Sequence, residues 1–178
     1  MSLLVCLSKI EDPRRAEGLR YSLLQMFSML ILSGLCGHFG GRPVRRFTHA
    51  NEEIFIKELA LKHPIPSHVS FSTFLNSIPK EDLIRVFHAW TSSLVPLEKD
   101  TNISGDGKAL RSTNLDKKGE DFDSVVSFFC QESGLVHTIA EYRNAKKGEG
   151  EIVRLLLVRL KDMGLTLHLD ALHCQKKQ

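Results

Sequence analysis

The sequence predicts an α/β fold: a helical N-terminal domain over residues 1–98, then a mixed sheet over 99–178 in the order strand-strand-strand-helix-strand. Three observations predict it. Apolar residues recur at spacings of three and four along the first half, the period that puts them on one face of a helix. From residue 99 onward short runs rich in Val, Ile, Phe and Tyr take over. Finally, Leu165-Thr-Leu-His-Leu-Asp170 alternates without a fault, the leucines to one side and Thr166, His168 and Asp170 to the other.

Taken in order, Asp12-Pro13 reads as a helix start, since proline is tolerated in a first turn. Leu23, Leu24, Phe27, Leu30 and Ile31 then form the apolar face of a helix that Gly34 to Gly41 end. Arg42-Pro43-Val44-Arg45-Arg46 is a compact basic cluster, and Asn51 reads as the cap of a helix over 52–61. His63-Pro64-Ile65-Pro66 breaks that helix, and Ser67 opens another segment, which Pro79 closes. Leu83, Ile84, Phe87, Trp90 and Leu94 give an amphipathic helix with Trp90 toward the core.

In the second half, Ile103 to Ser112 reads as a short strand, although Asp106-Gly107 alone is also a hairpin-turn signal. Asp123 to Gln131 and Leu135 to Tyr142 read as a strand pair turned at Glu132-Ser133-Gly134. Ile152, Leu156, Leu160 and Met163 form the stripe of a helix that Gly164 stops. A strand returned through a helix is most simply parallel to an earlier one. If the last strand docks beside the first, Asp106 and Asp170 become neighbours. Two adjacent carboxylates repel unless a cation neutralises them, and hard oxygen ligands suit Mg²⁺ or Mn²⁺. Such ions activate a water or hydroxyl in phosphoryl transfer. The bland alternative is that Asp170 caps the segment after it.

Composition sets the outer bounds. With 178 residues, 42% hydrophobic and 25% charged, the chain has the make-up of an ordinary globular protein. A net charge of +3 permits a nucleic-acid partner without demanding one. The excess is local. Between residues 9 and 46, Lys9, Arg14, Arg15, Arg20, Arg42, Arg45 and Arg46 face only Glu11, Asp12 and Glu17, which suits either a phosphate-contacting surface or a solvated face. Cys6, Cys36, Cys130 and Cys174 are scattered with no zinc or redox spacing, as expected of reduced thiols in a cytoplasmic protein. The apolar start lacks a basic leader, and the run from Ser22 to Cys36 is too short to span a bilayer, so no membrane role is expected.

Several motifs carry a family likeness in their order and spacing: Asp106-Gly107-Lys108-Ala109-Leu110-Arg111-Ser112, Val125-Val126-Ser127, Glu149-Gly-Glu-Ile152 and Asp170-Ala171-Leu172-His173-Cys174-Gln175. They resemble the catalytic half of bacterial insertion-sequence DDE transposases, in particular the H-repeat-associated (ISAs-type) group. Asp12-Pro13-Arg14-Arg15, the apolar helix to Gly34, Pro66-Ser67 and Thr73-Phe74 resemble the domain that precedes that core.

The resemblance implies an incomplete ribonuclease-H-like core acting on the DNA at insertion-sequence ends with two Mg²⁺ or Mn²⁺ ions, in a cytoplasmic, nucleoid-associated protein. It makes Asp106 and Asp170 the first two catalytic, metal-binding acids. Lys108 and Arg111, with Arg42, Arg45 and Arg46, become candidates for DNA contact. The family's third acid, a later glutamate, has no counterpart, so the expectation is a truncated and inactive fragment. The alternative is a non-catalytic DNA-binding or assembly module that self-associates or interferes with full-length transposase. A third reading is a remnant that does not fold.

Overall fold

The computed structural model describes residues 2–15, 19–94, 97–110, 122–143, 149–160 and 163–169. They form a mixed α/β structure that divides into two compact units, Ser2–Val86 and Phe87–Gln178.

The described part of the first unit is built from helices. Helix α1 (Leu3–Leu7) is capped by the Ser2 hydroxyl, which accepts the Val5 N–H. Helix α2 (Leu23–Leu35) starts with a reciprocal capping box between Ser22 and Gln25. The helix start expected at Asp12-Pro13 is not there. Asp12 instead accepts hydrogen bonds from the Arg14 backbone and guanidinium, which turns the chain locally. The inward face of α2 also differs from the expected one: Met26, Phe27, Met29 and Ser33 are buried, while Leu23, Leu24, Leu30 and Ile31 are only half-buried. Ser33 tolerates burial because its hydroxyl donates to the Met29 carbonyl one turn back, at 2.6 Å.

The basic cluster lies in α3 (Gly41–Ala50), whose Gly40 cap has φ +82°, a conformation that favours glycine. α4 (Glu52–Glu58) comes next, shorter than expected. Asn51 makes no side-chain cap to it, because its amide donates back to the Phe47 carbonyl and closes α3. α5 (His68–Ser77) is capped by the Ser67 hydroxyl. α3 crosses α5 at Gly41, where a Cβ would run into the Ser72 hydroxyl and the His68 carbonyl. Phe71 and Phe74 of α5 are fully buried, and Phe74 meets Phe27 edge to face at 5.0 Å.

α6 (Lys80–Leu94) contains the division between the units. Val86 and Thr91 are its buried residues, and Trp90 is only half-buried rather than core. The second unit holds β1 (Asn102–Leu110), β2 (Asp123–Cys130), β3 (Leu135–Arg143), α7 (Glu149–Arg159) and β4 (Thr166–Leu169). They form a four-stranded mixed sheet ordered β3-β2-β1-β4. β1–β2 and β2–β3 pair antiparallel, with an irregularity at Phe128/Phe129, and β4 returns through α7 to lie parallel to β1.

Ile103, Val126, Phe128, Cys130 and Tyr142 of the sheet pack with Ile152, Val153, Leu156 and Leu160, leaving the opposite face of β1 open. The far edge of β3 is covered by the second half of α6. Thr91 donates to the His137 carbonyl at 2.7 Å, and the Ile139 N–H reaches His88 Nε2 at 3.1 Å. The Ile139 carbonyl lies 3.0 Å from the same ring nitrogen. Strand-edge groups are thereby satisfied. Among the described residues, no helix is long and apolar enough to cross a membrane.

Candidate functional site

Asp106 sits in the middle of β1, paired with Ser127 of β2. The turn reading of Asp106-Gly107 is therefore overturned: β1 runs unbroken through both residues, and Gly107 lacks the positive φ such a turn needs. Alternation decides which way the carboxylate faces. Ile103 and Gly105 belong to the side covered by α7, so Ser104, Asp106 and Lys108 share the other side, where Asp106 and Lys108 are exposed.

Gly105 has a packing reason to be glycine. A Cβ there would lie 2.6 Å from Leu169 Cδ2 and 2.7 Å from Phe128 Cε1. The missing side chain lets the leucine of β4 and the phenylalanine of β2 close over the backbone directly before the acid.

The β1–β4 ladder pairs Asn102 with Thr166, Ile103 with Leu167, Ser104 with His168, and Gly105 with Leu169. His168 and Asn102 meet across it, Nε2 to Oδ1 at 3.1 Å. Asn102 in turn donates its backbone and side-chain N–H groups to one oxygen of Glu132, at 2.9 and 2.8 Å. Those two bonds, backbone first, hold the Glu132 carboxyl well below the usual range, at about 2. This network ties the start of β1 to the β2–β3 turn.

Asp170 and Arg111 lie outside the described residues. Lys108 shares the face of Asp106 two positions along β1. Among the described residues, no group of three or more His, Cys, Asp or Glu side chains is placed to hold a metal. The donor type of Asp106, an exposed carboxylate with no ion pair among the described residues, fits a hard divalent cation.

Arg42, Arg45 and Arg46 fall on one side of α3 because positions three and four apart are neighbours on a helix. With His68 of α5 they line one open depression of about 400 Å³. The sequence reading missed His68, which stands 22 residues beyond Arg46 and joins only through the α3–α5 crossing. The three arginines were legible as a cluster, but the helix that carries them was not, since Gly41 and Pro43 stand in its first turn.

Residues 4–91 match the family model described as DDE_Tnp_1-associated. A curated relative, "Uncharacterized protein in dhlA 3'region" from Xanthobacter autotrophicus, is 26% identical over 170 residues. The alignment covers 94% of this chain and 57% of that protein, so the chain spans well under two thirds of the relative's length. No solved structure matches the chain.

Proposed function

We propose, from the match of residues 4–91 to a transposase-associated family model, that this chain is part of a DDE transposase acting on the DNA ends of an insertion sequence. The observation that carries the reading is the parallel docking of β4 on β1. The last described pair is Gly105 with Leu169, and the next residues along the chain from these two are Asp106 and Asp170. Two carboxylates brought close together repel, and a shared cation relieves that repulsion. The strand order, with β4 beside β1, supports a ribonuclease-H-like reading of the sheet.

Asp106 and Asp170 would hold Mg²⁺ or Mn²⁺, which, when bound, supplies an activated water or hydroxyl and steadies the leaving oxygen of a phosphodiester. Lys108, on the face of Asp106, offsets phosphate charge, together with Arg111 further along the chain. Arg42, Arg45 and Arg46 contact the DNA backbone.

The test is Mn²⁺ binding read by electron paramagnetic resonance on the intact chain, alongside Mg²⁺-dependent nicking of DNA carrying the element ends. The expected outcome is a Mn²⁺ site lost in both Asp106→Asn and Asp170→Asn. Binding of Mn²⁺ by either variant as tightly as by the wild type would sink the metal-site reading.

A second reading is favoured by the exposed arginine face of α3, which lies within the matched segment while both acids lie outside it. A DNA-binding or assembly module, self-associating or joining full-length transposase, would keep salt-sensitive DNA binding in Asp106→Ala and show no nicking.

A further inference from the structure

The Ser2–Val86 unit contains an open cavity of about 630 Å³ that neither the metal site nor the arginine face of α3 uses. Cavities that accept small ligands span about 300–1,000 Å³. Its lining is one-sided in charge: Arg14, Arg20 and His63 are cationic or protonatable, Ser67, Ser70 and Thr73 bring hydroxyls, and no carboxylate among the described residues lines it.

The two arginines differ in what they have left to offer. Arg14 is committed, with Nε 2.8 Å and Nη2 2.6 Å from the two oxygens of Asp12 and its guanidinium 5.0 Å above the Phe74 ring. Arg20 is exposed and makes no ion pair among the described residues. Next to it in the chain, Tyr21 begins an aromatic wall. Tyr21 and His63 meet edge to face with centroids 6.1 Å apart, and the Tyr21 hydroxyl donates to the Pro64 carbonyl. The same lining includes the opening turn of α5, where the Ser67 hydroxyl accepts the Ser70 N–H at 3.1 Å and lies 2.9 Å from the Ser70 hydroxyl.

An available guanidinium, paired hydroxyls and an aromatic edge in a cavity of this charge match a phosphoryl group joined to a planar ring. We propose that this cavity binds one nucleoside phosphate, its phosphoryl group on Arg20 and its base against Tyr21 and His63. A free nucleotide and the terminal nucleotide of a nucleic-acid strand share that chemistry. The proposal does not depend on the acids of the sheet.

Isothermal titration of the intact chain with adenosine 5′-monophosphate, adenosine and a 5′-phosphorylated trinucleotide tests it. The expected result is binding of at least one phosphorylated probe and binding of adenosine weaker by about tenfold or more, the size of one charge-assisted contact. Arg20→Ala loses a similar factor. Val69→Trp, a change at an exposed position on the cavity rim, blocks the probe by filling the space. Asp106→Asn binds as wild type, which separates this site from the metal-site reading. Tighter binding of the trinucleotide assigns the site to a strand end, and tighter binding of the monophosphate assigns it to the free nucleotide. No binding by either phosphorylated probe, equal binding of adenosine, or unchanged binding in either Arg20→Ala or Val69→Trp overturns the proposal.

Discussion

Glu132 shows how much a single exposed carboxylate can be tuned by geometry. Its pKa is lowered from the usual 4.5 to about 2 by the Asn102 N–H groups. A depressed acid stabilises the fold above its unfolded pKa, and the contribution is lost as pH falls through the folded value. Melting temperature should therefore drop as pH goes from about 4.5 to about 2. Glu132→Gln should flatten that segment of the profile, and an unchanged profile would show the bonds to be unimportant in solution. Gly105 makes the opposite kind of demand, for absence of atoms. Gly105→Ala forces Phe128 and Leu169 apart and should cost about 1–3 kcal/mol in a denaturant melt. A variant as stable as wild type would mean that the strands are not packed this closely.

Among the elements, α6 is the least obvious from its sequence. Its apolar spacing points to Trp90 as an inward residue, yet Val86 and Thr91 are the buried ones. Its second half acts as a cover for the edge of β3 through His88 and Thr91. Thr91→Val keeps the shape and removes the donor to the His137 carbonyl, so a loss of about 0.5–1.5 kcal/mol is expected from chemical unfolding. The same change should speed amide exchange along β3, whereas a purely local role in α6 would leave β3 protection as it was. Elements with strong period were the legible ones. The last strand, the helix before it and the β2–β3 hairpin all arise from side-chain periodicity, which acts locally, although α7 ends at Arg159 and Met163, expected on its stripe, is exposed. α1 and α3 were not legible, because a five-residue helix and one opening on Gly41-Arg42-Pro43 carry little local preference and are fixed by packing.

For the whole chain, the charge is unevenly distributed, and that has a measurable consequence. Arg42, Arg45 and Arg46 are gathered on one face of α3 in the unit that also carries Arg14 and Arg20. If that face holds DNA phosphates, replacing all three by Ala should lower the slope of log K against log salt by up to about 3, near 0.9 for each phosphate no longer neutralised. Fluorescence anisotropy with duplex DNA at several salt concentrations reads this directly. An unaltered slope would place the DNA elsewhere.

The strand-strand-strand-helix-strand order of the second half and the acidic character of residue 106 were written in the chain, because each depends on neighbours within a few positions. It took the folded arrangement to show that β4 lies parallel beside β1, that Gly105 is needed to let Leu169 close over it, and that His68 joins the arginines of α3. Those facts join residues tens of positions apart. They are set by which apolar faces bury one another, and local pattern carries no record of that choice.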